Sequence, residues 1–188
     1  MNAPLPQAPR ARVEKAYFRA KYYAGTAGIA IGTATWELVT LNETAHYANP
    51  APSFAKIAAA PYTADGSVII YDAGTYDLEY MICIDTATSD GGYGKARIRQ
   101  TPTGDSETTM PYSQSTTLKT KLDYSAHGTH YIGIMQEIGA RCRQEITKIT
   151  KVKIEAWVSS ADMVIGGDSG AVAASQQAVF AWLTVTKV

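Results

Sequence analysis

The sequence predicts an all-β protein, a sandwich or barrel of many short strands, and three observations carry that expectation. The first is the run Tyr76 to Asp85, where Tyr76, Leu78, Tyr80, Ile82 and Ile84 alternate with Asp77, Glu79, Met81, Cys83 and Asp85. Side chains alternate across a strand, so this run has one apolar face and one more polar face. The second is the recurrence of such runs, separated by Gly, Pro, Asn and Asp clusters, along nearly the whole chain. The third is the lack of any long stretch with helical periodicity. At 188 residues one large β domain is enough, and it buries about 70% of the surface its unfolded chain exposes.

Taken in order, residues 1 to 14 read as an extended arm and residues 15 to 188 as the folded domain. Pro4, Pro6 and Pro9 impose extended geometry on the arm, and Arg10 and Arg12 add charge without core-forming residues. Such a segment either stays disordered or orders along a partner surface on binding. Val13 to Tyr23 fits a helix face or a strand, and its aromatic content favours the strand. Thr35 to Leu41 predicts a strand with Trp36, Leu38 and Thr40 on one side, and Asn42 to Ala60 reads as loop, with Asn49-Pro50-Ala51-Pro52 forbidding a helix until at least Ser53.

Ser67 to Tyr71 and the long run after Gly74 predict two strands paired across an Asp72-Ala73-Gly74 turn. Lys95 to Gln100 alternates cations with apolar residues, placing Lys95, Arg97 and Arg99 on one solvated face. Residues 101 to 117 read as loop or edge strand, and Leu118 to Tyr124 alternates again. Tyr131 to Arg143 is extended, with Gly133 and Gly139 marking candidate bulges. Lys151 to Val158 is a strand, Asp162 to Ser175 is small and flexible, and Val179 to Val188 closes the chain. In that last strand Val179, Ala181, Leu183 and Val185 oppose Phe180, Trp182, Thr184 and Thr186.

Composition narrows the function. Seventeen basic and seventeen acidic residues cancel, which argues against a protein that must neutralise many phosphates of nucleic acid. No apolar run reaches the roughly 20 residues of a membrane span, and MNAPLPQAPRAR lacks the apolar stretch of a secretory signal. Cys83 and Cys142 both fall in strand-like runs and read as buried thiols, with a single bridge as the alternative.

The motifs with catalytic or metal-binding potential are weak. Gly167-Asp168-Ser169-Gly170 matches the nucleophile segment of serine proteases, with His46 and either Asp72 or Asp77 as formal partners. Gly-Asp-Ser-Gly is also ordinary turn composition, and Asp77 sits on a regular strand, so no enzyme is expected. His127 and His130 have metal-compatible spacing but lack neighbouring ligands, and Asp85, Asp90 and Asp105 lack calcium-loop spacing. No phosphate loop or dinucleotide fingerprint occurs. No cofactor is expected.

Three stretches together resemble the tumour-necrosis-factor and complement globular-head family. Trp36 to Asn42, WELVTLN, is similar to its W/F-x-x-V-x-x-N pattern, and Gly66 to Tyr80 to its paired-strand pattern. Lys151 to Val158, the Gly166 to Gly170 loop and Ala178 to Val188 follow the order of its final strands. The resemblance implies a single jelly-roll β-sandwich that assembles as a homotrimer. Phe180 and Trp182, large aromatics on the second face of the closing strand, are the candidate trimer interface.

The chain departs from secreted members of that family in showing no collagen-like stem and no secretory signal. It thereby resembles virion jelly rolls, among them bacteriophage capsid decoration proteins and fibre or spike tips. The expectation is a homotrimeric decoration protein on the capsid surface, assembled in the host cytoplasm. It would bind the major capsid protein or other shell subunits through the arm at Pro4, Pro6, Pro9, Arg10 and Arg12, and neither nucleic acid nor membrane. A receptor-binding tip for a host glycan is the alternative, and a hydrolase using Ser169 a remote one.

Overall fold

The computed structural model describes residues 17–24, 29–30, 32–45, 53–59, 61–62, 64–86, 92–119, 136–159, 163–165 and 178–188. The described strands are β1 (Tyr17–Ala24), β2 (Ile29–Ala30), β3 (Glu37–Val39), β4 (Glu43–Ala45), β5 (Ala55–Ile57), β6 (Val68–Ile70) and β7 (Gly74–Thr86). They continue with β8 (Gly92–Pro102), β9 (Thr108–Thr109), β10 (Ser115–Lys119), β11 (Gln136–Ile146), β12 (Thr150–Val158), β13 (Met163–Ile165) and β14 (Ala178–Lys187). The all-β expectation holds, and no helix occurs among the described residues.

The strands form two antiparallel sheets. In the first, β11, β7, β14, β1 and β4 lie side by side, with β13 and β2 continuing along the far end of β7. In the second, β10, β8, β12, β6 and β5 lie side by side, with β3 and β9 pairing on β12 and β8. The closing strand β14 sits inside the first sheet, between β7 and β1. Each sheet has one apolar face, and the two apolar faces pack together as the layers of a sandwich.

Alternation in β7 builds much of that core. Tyr76, Leu78, Tyr80, Ile82 and Ile84 are all buried, each worth roughly 1.5–3 kcal/mol of burial. Ala181, Leu183 and Val185 of β14 are also buried, and Val152, Ile154, Ala156 and Val158 of β12 face them from the second sheet. Val179 lies in β14, its side chain outside the described residues.

The structure corrects several expectations. β6 and β7 do not pair: β6 belongs to the second sheet, between β5 and β12, whereas β7 is central to the first. The Asp72-Ala73-Gly74 turn therefore carries the chain across the sandwich instead of closing a hairpin. A turn rich in Asp and Gly reverses the chain in either case, so its composition leaves the partner open. In the Trp36 segment, Val39 and Leu41 enter the core, and Trp36 and Leu38 lie half-buried on the outer side. The Asn42 to Ala60 segment contains β4 and β5, and the segment after Asp162 contains β13.

Two glycines explain local geometry. Gly66 has φ of +78°, and a Cβ there would stand 2.6 Å from the Leu41 backbone nitrogen, a conformation and a space that suit only glycine. Gly139 marks no bulge, because β11 pairs with β7 without a break from Gln136 to Ile146. A Cβ at Gly139 would instead lie 2.7 Å from the Tyr80 carbonyl oxygen, so glycine permits close backbone approach.

Candidate assembly surface

Burial of alternate residues leaves each sheet with an outward face, and the two faces differ in how their charges are met. On the second sheet, β8 and β12 present Lys95, Arg97, Arg99, Lys151 and Lys153 outward. Arg97 donates to Glu155 at 2.8 Å, Lys153 bridges Glu155 and Glu107 at 3.0 and 2.9 Å, and Arg99 pairs with Glu107 at 3.1 Å. Lys151 pairs with Asp65. The Arg97 guanidinium lies 3.9 Å from the Trp36 ring centre, a close cation–π stack. Lys95, Arg97 and Arg99 thus share a face as expected, but all three are half-buried, and both arginines are paired with carboxylates.

The outward face of the first sheet is organised around Asp77 on β7. Arg143 grips its carboxylate with Nε at 2.7 Å and Nη2 at 3.0 Å, while Arg141 donates Nη2 at 2.8 Å. Residues 141 and 143 alternate with buried Cys142, so both guanidiniums fall on the same side of β11, and the β7–β11 register sets Arg143 opposite Asp77. Asp77 is only 7% exposed, and the two arginines hold its carboxyl well below the usual carboxylate range. This serves structure, and Asp77 is committed to two cations instead of being aimed at a histidine.

Asp77→Asn removes that charge with little change of shape. A depressed folded-state pKa contributes stability that is fully present above the unfolded value of about 4 and is lost as pH falls from there through the folded value. Urea unfolding should show the variant less stable than the native chain at neutral pH, with the difference closing progressively below about pH 4. A difference that stays constant with pH would contradict this role.

Above the charged patch lies a more apolar strip. Trp182 on β14 is directly across from Met81 on β7, and both are half-buried. The Arg19 guanidinium lies 4.8 Å from the Trp182 ring centre, and its Nε donates to Thr184 Oγ1 at 2.8 Å. Of the two residues expected at an interface, Trp182 is therefore on the outward face, with its ring partly covered by its own protomer. The Phe180 side chain lies outside the described residues.

The cysteines are free and buried, on opposite sides of the first sheet. Burial pushes each thiol up to about 11, with Glu137 adding to the effect at Cys83 and Asp77 at Cys142. Both stay protonated at neutral pH, which makes them poor nucleophiles. Asp72 is exposed beside Lys187, and Asp105 pairs with Lys148 at 2.8 Å. Pro4, Pro6, Pro9, Arg10, Arg12, His46, Asp90, His127, His130 and Ser169 lie outside the described residues, as does the Asp85 side chain. Among the described residues no three His, Cys, Asp or Glu side chains come together as a metal site, and no helix is long and apolar enough to cross a membrane.

Sequence reasoning missed the Asp77 clasp and the Glu107–Glu155 network. The Arg-Cys-Arg spacing places two cations on one face, but the carboxylate they share becomes visible only with the strand register.

No family model matches this sequence, and no curated protein matches it. Among solved structures, the chain is similar to the Eiger tumour necrosis factor of S. frugiperda. That likeness has a TM-score of 0.53 and 10% identity, over 93% of this chain and 94% of the other. The globular domain of zebrafish complement 1qA protein matches with a TM-score of 0.47 and 14% identity, over 93% of this chain and 98% of the other. Two antiparallel layers, a central closing strand and the Eiger likeness together give the chain the tumour-necrosis-factor-like jelly-roll fold.

Proposed function

We propose that this chain is a non-enzymatic virion structural protein, a homotrimer that decorates the capsid and braces neighbouring shell subunits. The observation that supports it most is the outward face of the first sheet, where Trp182 and Met81 form a half-buried apolar strip beside incompletely paired charges. Apolar surface of this kind on a jelly roll is well suited to contact with further copies, because obligate interfaces resemble a core cut in half. The second sheet, with most of its charges paired internally, is the wall left facing solvent.

The capsid assignment rests on the resemblance to decoration proteins and on the arm. The spacing of Pro4, Pro6 and Pro9 in the sequence favours an arm that orders along a partner surface, and Arg10 and Arg12 supply charge for acidic shell surfaces. Three arms per trimer turn modest contacts into one tight attachment, since the second and third bind at high effective concentration. On this reading the partners are the major capsid protein or other shell subunits, and the location is the capsid surface.

The test is reconstitution on shells stripped of the protein. Purified trimer should rebind and raise the shells' resistance to heat, and deleting residues 1–14 should abolish rebinding. Failure of the intact chain to bind shells would overturn the assignment. A second reading, a tip that recognises a host-surface glycan, is supported by Tyr93 and Trp157. Their ring centres lie 5.1 Å apart, with Lys95 Nζ 4.7 Å from that of Trp157, a platform of the type sugars stack on. Binding to host glycans with no shell present would favour it.

A further inference from the structure

Arg141 occupies the β11 position directly across from Glu79 on β7. Opposite charges in that relation ordinarily pair. Here Arg141 instead reaches diagonally to Asp77 at 2.8 Å, joining Arg143 on a carboxylate that is already gripped by two donors. Glu79 is left exposed, and among the described residues no ion pair reaches it. Asp77 balances only one of its two arginines; Glu137 and Glu145 share the outward face of β11 and are exposed as well, but Glu79 is the carboxylate directly across from Arg141. The arginine side chains are 64% and 60% exposed, so most of their N–H donors face outward.

We propose that Arg141 and Arg143, held in place by Asp77, form intersubunit ion pairs with Glu79 of a neighbouring copy. The inference rests on the homotrimer proposed above and names what fixes its register. A three-fold interface is heterologous: it sets one patch of a protomer against a different patch of the next. A cation patch and a carboxylate a few positions apart on one face are therefore available to each other between copies. Burying Glu79 with no partner would be strongly unfavourable, because an uncompensated charge loses its hydration. The other described cation of this face, Arg19, is engaged with Thr184 and the Trp182 ring. The second copy is thus identified by charge complementarity, and the apolar strip of Trp182 and Met81 supplies the area around it.

The experiment is sedimentation velocity over a dilution series at low and high salt, on the native chain, E79Q, E79K and the swap E79K/R141E. The native trimer should loosen with salt, because partly exposed pairs are screened. E79Q keeps the shape and should flatten that salt dependence. E79K should raise the concentration of half-dissociation at least about tenfold, since like charges across an interface cost several kcal/mol, and the swap should recover most of the loss. A native trimer that E79Q and E79K leave unchanged overturns the intersubunit pairing while the trimer stands. Weakening by E79K that the swap does not relieve overturns Arg141 as the partner. A native chain monomeric at every concentration removes the trimer itself.

Discussion

Replacing both Phe180 and Trp182 by serine should convert the proposed trimer into folded monomers, read by light scattering. Trp182 is placed for this effect: β14 lies inside the first sheet, and Trp182 faces outward beside Met81 on the half-buried strip. Ala181, Leu183 and Val185 on the opposite face hold the strand in the core and are untouched by the change. Buried aromatics at an interface centre cost roughly 2 kcal/mol or more each when truncated. Each protomer of a ring takes part in two contacts, so the loss recurs at every junction. For Trp182 the cost within one protomer is smaller, chiefly the Arg19 stack on its ring at 4.8 Å, worth about 0.5–2 kcal/mol. The far-ultraviolet dichroism of the double variant should therefore remain that of a β protein. A trimer that persists would show that these residues lie away from the interface.

The second large effect is on stability. Tyr80→Ala should lower the unfolding free energy by about 3–5 kcal/mol, the range for deleting a buried aromatic ring, measured as a reduced urea midpoint. Tyr80 is 1% exposed and belongs to β7, the central strand of the first sheet. Its hydroxyl donates to the Ser113 carbonyl at 2.9 Å, and the Ser113 hydroxyl in turn donates to the Met110 carbonyl at 2.7 Å. The same Ser113 oxygen accepts from the Ile98 backbone N–H at 3.0 Å, on β8 of the second sheet. One phenol thus ties the centre of one layer to the edge of the other. Tyr80→Phe keeps the ring and should cost about 1–3 kcal/mol through the buried Ser113 carbonyl it leaves unsatisfied. An alanine variant within about 1 kcal/mol of the native chain would contradict the placement of Tyr80 between the layers.

Strand faces were legible in the sequence wherever alternation was long. The five apolar residues of β7 and the inward trio of β14 are buried as their spacing requires, because period-two patterning directly reports which side of a sheet is dry. Partners were less legible. The Asp72-Ala73-Gly74 turn reads the same whether it closes a hairpin or crosses between sheets, and β6 takes β5 and β12 as neighbours. Short strands were least legible: β3 has three residues, too few for alternation to distinguish Leu38 from Val39 as the core position. The aromatic weight of Trp36 points to the core, yet its ring serves as a lid over Arg97 outside it.

Of the candidate surface, the sequence pointed to Trp182 on the outward face, where the structure puts it beside Met81, and the charged part was hidden. Phe180 and Trp182 stand out because large aromatics on the second face of a strand call for a covering contact. Asp77, Arg141 and Arg143 are separated by 64 and 66 residues, and ordinary strand composition conceals what only register brings together. Asp77 alternates with Tyr76 and Leu78 as any outward residue would. Its near-complete burial arises from the two guanidiniums lying across it.

Sedimentation equilibrium of the native chain in dilute solution tests the assembly reading most directly. A particle of three times the 20.2 kDa chain mass is the expected result. A species of 20.2 kDa at every concentration would contradict it, because the outward face of the first sheet would then be a finished surface.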